Sequence, residues 1–458
     1  MINKSMEVDI MDKQRSNFSG KIGFVLAAAG SAVGLGNIWR FPYLAAQYGG
    51  GIFLLVYIIL AVTLGFTLMT AEISLGRKTG LSVIGAFSAL NKKYSFIGYL
   101  AAAVPVIILP YYSVIGGWVT KYLCSYIAGE SVAAADSSFF GAFVSKPVEP
   151  VIWFLVFMGA TALIVMCAVQ KGIESVSKIM MPVLVVISIG IAIYSMCLPG
   201  AVEGIIYYIK PDFSKFSATT VLSAMGQLFY SMSLAMGIMI TYGSYMKKEV
   251  SIRSSVRQIE LFDTGIAFLA GLMIVPAVFA FDKGAIGKGP SLMFVTLPKV
   301  FNSFNGGWIV GILFFLLVLF AALTSSISLM ETVVSFFQDK LNMKRIPACI
   351  LVFVICLVLG IPSSLGNGIW ADIKVIGMDF LTFFDFISNS VLMPIVALFT
   401  CLFIGFVVKP KAIIEEVESS EKFKEKGMFT VIIKYVAPIC ILLILGFSVL
   451  EAFGLLKV

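Results

Sequence analysis

Eleven stretches of this chain are apolar for long enough to cross a bilayer, which takes about 20 residues of helix. Their limits lie near 22–46, 51–75, 96–127, 150–170, 174–197, 219–246, 258–281, 306–337, 347–364, 380–408 and 430–454. Several exceed 25 residues, which predicts tilt or extension beyond the hydrocarbon. The 458 residues are 59% hydrophobic and 13% charged, with mean hydropathy +1.00. Such a chain is expected to be an all-α polytopic membrane protein, because lipid leaves a backbone no other partner than its own helix. The net charge of +8 does not point to nucleic acid, since the basic residues sit in short loops between apolar runs. There is no histidine, which removes His-based catalysis, haem ligation and the usual zinc sites. The seven cysteines lack Cys-x-x-Cys spacing and read as packing residues. No signal peptide is expected, because the polar N-terminus leads into an apolar run that is too long and lacks a small-residue exit.

Lys and Arg set the orientation. With the N-terminus inside, 23 of the 33 basic residues fall on the cytoplasmic side. The positive-inside rule then predicts a cytoplasmic N-terminus and, with eleven spans, an extracytoplasmic C-terminus in the plasma membrane.

Two segments contradict their own hydropathy. Residues 30–42 read Gly-Ser-Ala-Val-Gly-Leu-Gly-Asn-Ile-Trp-Arg-Phe-Pro, within the first apolar run. Gly34 and Gly36 weaken the helix there, and Asn37 and Arg40 add an amide and a charge. Segment 219–246 carries Ser231, Ser233, Gly237, Thr241, Gly243 and Ser244. Small and hydroxyl residues also let helices pack closely, so either segment alone is ambiguous. They are, however, the first members of two successive sets of five. Interrupted helices at matching positions of two halves point to a midplane binding site. The eighth segment adds Thr324, Ser325, Ser326 and Ser328, whose oxygens suit a hard cation or bond back to their own helix. Glu72, Asp263, Glu331 and Asp339 lie within or at the ends of spans. Asp263 reads as functional and could face the first span; Glu72, close to Arg77 and Lys78, reads as a structural ion-pair partner.

The stretches 30–42, 227–234 (Gln-Leu-Phe-Tyr-Ser-Met-Ser-Leu) and 323–326 (Leu-Thr-Ser-Ser) together resemble the neurotransmitter:sodium symporter family. The resemblance runs from about Arg15 to the end, and eleven spans resemble its bacterial amino-acid branch, including transporters of tyrosine and other hydrophobic amino acids. It implies an inverted repeat of 22–197 against 219–408, with helices 1 and 6 broken, a cytoplasmic segment 1–21 and an additional helix at 430–454. It implies a first sodium held by Ala32, Asn37, Ser231 and Asp263 together with the substrate carboxylate, and a second by Gly30, Val33, Ala321, Thr324 and Ser325. The substrate carboxylate would meet Leu35, Gly36 and Tyr112, at the positive end of a half-helix. Its ammonium would meet Ala32, Tyr230, Ser231 and Ser233. Its side chain would lie among Ile108, Tyr112, Tyr230, Met236, Ser325 and Leu329.

The same resemblance implies an outer gate of Arg40 with Asp385, above Gln227 and Tyr112, and an inner gate of Arg15 with Asp339, beside Tyr245. Phe18 stands where the family commonly has Trp. Gly172 and Pro182 resemble a motif that lets the fifth helix unwind. Asp263 stands where many members have Asn, and Ala267 where chloride-dependent members have Ser. The expectation is therefore that the Asp263 carboxylate replaces chloride. The expected activity is sodium-coupled symport of a large hydrophobic or aromatic L-amino acid, tyrosine first, with no enzyme chemistry and no nucleic-acid partner. A channel or an amino-acid sensor on the same scaffold are the alternatives.

Overall fold

A computed structural model of the chain describes residues 17–281 and 291–452. Helices dominate it, and among the described residues the extended pairing is limited to two isolated bridges. Among the described residues nine continuous helices are long and apolar enough to span. They are span 2 (Gly51–Thr79), span 3 (Lys92–Ile127), span 4 (Glu149–Met166), span 5 (Val169–Met196), span 7 (Ile252–Phe281), span 8 (Gly307–Leu341), span 9 (Arg345–Leu365), span 10 (Phe380–Val408) and span 11 (Lys426–Leu450). Span 1 is a bent pair, Lys21–Ala32 and Gly36–Gln47, with a 53° angle between its halves. Segment 6 is two short helices, Ala218–Ser231 and Ile238–Ser244, neither of spanning length. The count of eleven therefore depends on joining these halves across residues 232–237.

The broken elements are held inside a layer of long helices. Span 3 packs along spans 4 and 8, and spans 5, 7 and 8 flank the first half of span 1. The first half of segment 6 packs on the start of span 2, and its second half on the end of span 2. Spans 1 and 6 are buried on almost every face, whereas span 5 exposes Ile179 and Val186 and span 11 exposes Ile439 and Leu443. Those outer faces suit lipid, and a broken backbone is tolerable only in the protein-lined interior.

On the loop side of spans 2, 7, 10 and 11, acids of the segment between spans 10 and 11 clasp basic residues. Arg77 bonds Glu416 at 2.8 Å, Arg253 bonds Glu421 at 2.7 Å and Glu425 at 2.6 Å, and Arg257 also pairs with Glu425. Hydrogen bonds from Ser251 and Arg253 hold the Glu421 carboxyl below the ordinary carboxylate range, and Arg253 does the same for Glu425. Carboxyls with lowered folded values stabilise the clasp above their ordinary range, near pH 4.3, and lose that contribution as pH falls through the lowered values. Thermal midpoints are expected to change little through this clasp between pH 7 and about 5, and to fall below about pH 4. A variant Arg253→Ala should show a smaller fall on acidification, measured as the thermal midpoint in detergent.

Candidate functional site

The helix of span 1 stops because Val33 leaves helical space, at φ −77° and ψ 95°. Gly34 and Gly36 are needed for close approach rather than for an unusual dihedral. A Cβ on Gly34 would lie 2.6 Å from the Ser325 hydroxyl, and one on Gly36 would lie 2.6 Å from the Tyr230 ring. A wide turn over Gly36–Arg40 restarts the helix, and Pro42, with no N–H to satisfy, sits in its first turn.

Segment 6 breaks harder. Ser233, Ala235 and Gly237 all have positive φ, at 52°, 60° and 72°. Two of them carry a Cβ, and each such conformation costs on the order of 1 kcal/mol or more. The chain compensates by supplying partners. Glu72 of span 2 accepts the Ala235 N–H at 2.7 Å, and Ser233 donates to the Ser31 carbonyl at 2.9 Å, tying one break to the other. This corrects the expected ion-pair role of Glu72. Its neighbour Arg77 pairs with Glu416 instead, and Glu72 serves unwound backbone.

Asp263 of span 7 is fully buried and faces span 1. Asn37 Nδ2 donates to Asp263 Oδ1 at 2.7 Å, Ser231 Oγ lies 2.8 and 2.9 Å from the two carboxylate oxygens, and Tyr57 OH donates to Oδ2 at 2.9 Å. Among the described residues no Lys or Arg forms an ion pair with it. Buried charges are otherwise paired or coordinate cations, so a buried carboxylate ringed only by neutral donors suits a hard cation. The Asn37 carbonyl oxygen accepts the Gly34 N–H at 3.1 Å, and Ala32 lies in the same cavity wall.

A second oxygen cluster lies where span 8 crosses the break. Ser325 Oγ donates toward the Ser31 and Gly30 carbonyls at 3.1 and 3.4 Å. Thr324 Oγ1 bonds back to the Phe320 and Ala321 carbonyls at 2.9 and 3.1 Å. A Cβ on Gly30 would lie 3.1 Å from Thr324 Cβ. Gly30, Ala321, Thr324 and Ser325 thus meet, with Val33 at the end of the adjoining half-helix.

Between the two clusters lies a cavity of about 340 Å³ of empty space. Its walls include Ala32, Leu35, Gly36, Ile108, Tyr112, Tyr230, Ser231, Ser233, Met236, Ser325 and Leu329, which is every substrate-site residue expected from the sequence. Tyr112 OH accepts the Leu35 N–H at 3.3 Å. Above the cavity, Gln227 donates to the Gly36 carbonyl at 2.8 Å, and the Arg40 guanidinium lies 5.4 Å from the Tyr230 ring centre.

The gate residues are placed unevenly. Arg40 and Asp385 are not joined by an ion pair. Asp385 Oδ1 accepts from Asn389 at 2.6 Å and from Tyr111 at 3.2 Å, so that oxygen is engaged by spans 10 and 3 and not by Arg40. Arg15 lies outside the described residues. Asp339 accepts the Ser82 N–H at 2.9 Å, and Tyr245 donates to Glu331 at 2.8 Å. Glu331 also takes Arg345 at 2.5 Å. Phe18 is buried against Phe24, Tyr242 and Tyr245. Gly172 sits in a wide turn over Val169–Glu174, where a Cβ would come within 2.1 Å of the Ile164 carbonyl, and Pro182 lies inside the following helix.

Three contributions to the site escaped the sequence reading, although Gly34 itself was read as a helix break. Tyr57 looks like an ordinary aromatic in an apolar run, yet its hydroxyl bonds both Asp263 and Ser231. Gly34 and Ile238 line the cavity as well. A hydroxyl at spanning depth was the available signal for Tyr57.

The profile of the sodium:neurotransmitter symporter family matches residues 15–133 and 146–455. An uncharacterised sodium-dependent transporter of Bacillus subtilis is 34% identical over 434 residues, 93% of this chain and 96% of that one. One from Haemophilus influenzae is also 34% identical, over 449 residues, 94% and 98% of the two chains. The crystal structure of MhsT in complex with L-phenylalanine is 39% identical, with a TM-score of 0.87, over 95% of this chain and 100% of that one. The match spans nearly all of the chain and includes both broken helices and the three motifs between which the cavity lies. This chain belongs to the sodium:neurotransmitter symporter family, a family of membrane transporters and not of enzymes.

Proposed function

We propose that the chain imports a large hydrophobic or aromatic L-amino acid, tyrosine first, by symport with two sodium ions and alternating access. The observation that carries the reading is the cavity at the meeting of two helix breaks, with a buried unpaired carboxylate on one side and a hydroxyl-carbonyl cluster on the other. Asn37, Ser231, Asp263 and the Ala32 carbonyl bind the first sodium. Gly30, Val33, Ala321, Thr324 and Ser325 bind the second. The α-carboxylate is taken by the Leu35 and Gly36 N–H groups and Tyr112, and the ammonium by Ala32, Tyr230, Ser231 and Ser233. Ile108, Met236, Ile238 and Leu329 give the side chain apolar walls, which a flexible Met can repack around different rings. The phenylalanine bound by MhsT fits this class. Hydroxyls of Ser233 and Ser325 donate to span 1 carbonyls and keep lone pairs that can accept a phenolic O–H.

In this reading helices 1, 2, 6 and 7, drawn from both repeats (22–197 and 219–408), rock against the rest, with the N-terminus cytoplasmic and the C-terminus extracytoplasmic. Arg40 with Asp385, over Gln227 and Tyr112, closes the outer side. Arg15 with Asp339, beside Tyr245, closes the inner side, and span 5 loosens between Gly172 and Pro182. Each sodium entering down about 100 mV releases roughly 2.3 kcal/mol before any concentration term. Because Asp263 supplies a fixed negative charge, transport is independent of chloride.

Purified protein in liposomes with an inward sodium gradient is expected to accumulate labelled tyrosine and phenylalanine, with no loss when gluconate replaces chloride. Uptake of leucine but not of either aromatic would overturn the substrate class, and loss of uptake in gluconate would overturn the role of Asp263. Binding without accumulation would mark a sensor, and gradient-independent flux without saturation a channel.

A further inference from the structure

Span 11 contains a charge that neither the transport site nor the gates use. Lys434 lies about 12 Å along the helix from Lys426, at 1.5 Å per residue, in a helix read as membrane-spanning. Its neighbours Val431 and Tyr435 are 53% and 57% exposed on the lipid-facing side. A lone ammonium at such depth is costly unless it reaches the interface or an anion. Among the described residues Lys434 has no carboxylate within ion-pair distance. Its stem crosses the end of span 10 where Gly405 has no side chain, and a Cβ there would lie 3.3 Å from Lys434 Cγ. The ammonium lies 5.9 Å from the centre of the Phe406 ring.

This brings Lys434 to one groove with Lys409 and Lys411. Lys409, too, has no carboxylate partner among the described residues. Lys411 approaches only Glu415, at 3.9 Å and well exposed, while Glu418 is paired with Lys426. The groove holds about 760 Å³ of empty space, and Phe406 and Ile414 give it an apolar wall. Phe406 itself is 53% exposed. Three lysines at the mouth and an apolar, lipid-exposed wall below match an amphiphile whose head is anionic and whose tail is hydrocarbon. Basic pockets between helix ends at the membrane boundary are suited to anionic headgroups.

We propose that the groove between the end of span 10 and the start of span 11 binds an anionic glycerophospholipid, with its phosphate on Lys409, Lys411 and Lys434 and an acyl chain along Phe406. The leaflet, though not the site, rests on the proposed orientation; the cytoplasmic leaflet follows from it.

Native mass spectrometry of the full chain in detergent, titrated with phosphatidylglycerol or phosphatidylcholine, tests this. The wild type is expected to retain phosphatidylglycerol at least tenfold more tightly than phosphatidylcholine. A Lys409→Gln/Lys434→Gln double variant should lose about fivefold for each lysine, and Lys92→Gln/Lys93→Gln, outside the groove, should lose nothing. Sodium-dependent substrate binding reports whether the double variant is folded. If it is not, Lys434→Arg should retain the lipid and Lys411→Gln alone should weaken it. Equal retention by wild type and the groove variants, equal binding of phosphatidylcholine, or displacement of the lipid by inorganic phosphate at equal concentration would each overturn the proposal.

Discussion

Replacing Asp263 by alanine is expected to weaken sodium-dependent substrate binding by at least 100-fold, about 3 kcal/mol. Three side chains converge on this carboxylate, from span 1 (Asn37), span 2 (Tyr57) and segment 6 (Ser231). Alanine removes the anion and also leaves those donors buried without an acceptor, a cost of about 1–3 kcal/mol for each unsatisfied group. Asp263→Asn separates the two effects. It keeps an oxygen acceptor and the shape but removes the charge, so the packing should survive while sodium affinity falls. A sodium titration of labelled-substrate binding reads the difference. For Asp263→Asn the midpoint should move to much higher sodium, and saturating sodium should restore part of the substrate affinity. For Asp263→Ala saturating sodium should restore little. An unchanged sodium midpoint in Asp263→Asn would remove the carboxylate from the ion site.

Legibility in the sequence followed the type of interaction. Both helix breaks could be read only as a pair, because small and hydroxyl residues also let helices pack closely, whereas interruptions at matching positions of two halves point to a cavity. The cavity wall was legible only through the family resemblance, since Ile108 and Tyr112 on span 3 and Ser325 and Leu329 on span 8 flank neither break. Glu72 was misread through sequence proximity. Arg77 is five residues away, about 140° around the helix at 100° per residue, and so points elsewhere, toward Glu416. Glu72 instead meets backbone that becomes available only once segment 6 unwinds. Tyr57 was missed because its ring satisfies the hydropathy pattern and only its hydroxyl reaches the site. Arg40 and Asp385 show a different limit. Their separation depends on how spans 1 and 10 are arranged, which no local pattern encodes, and Tyr111 and Asn389 hold Asp385 in this arrangement. Gly172 illustrates how one residue serves two readings. It weakens the helix, and it also allows the chain to pass the Ile164 carbonyl.

Gly76→Ala is expected to destabilise the protein by about 3 kcal/mol or more, the upper range for overpacking. A Cβ at this position would lie 1.9 Å from the Ile240 carbonyl oxygen, 2.8 Å from its carbon and 2.9 Å from the Ser244 nitrogen. The partner helix answers in kind, since a Cβ on Gly243 would lie 2.4 Å from the Ile73 carbonyl oxygen. Span 2 and the second half of segment 6 therefore touch backbone to backbone. A crowded side chain can turn to another rotamer, but a crowded carbonyl moves only with its helix. The helix in question is Ile238–Ser244, seven residues long, and it starts beside Met236 and Ile238 in the cavity wall. Pushing it outward must also disturb substrate binding. Gly265→Ala in span 7 is the matched control, because nothing lies within 4 Å of its Cβ position. There the same methyl should be neutral or stabilise the helix by up to about 1 kcal/mol. Thermal midpoints from fluorescence-detected size exclusion should fall for Gly76→Ala and hold or rise for Gly265→Ala, with substrate affinity lost only in the former. A Gly76→Ala protein with wild-type midpoint and affinity would mean that span 2 and segment 6 do not approach this closely. The cavity would then lack the rigid wall that fixes Met236 and Ile238 against the substrate.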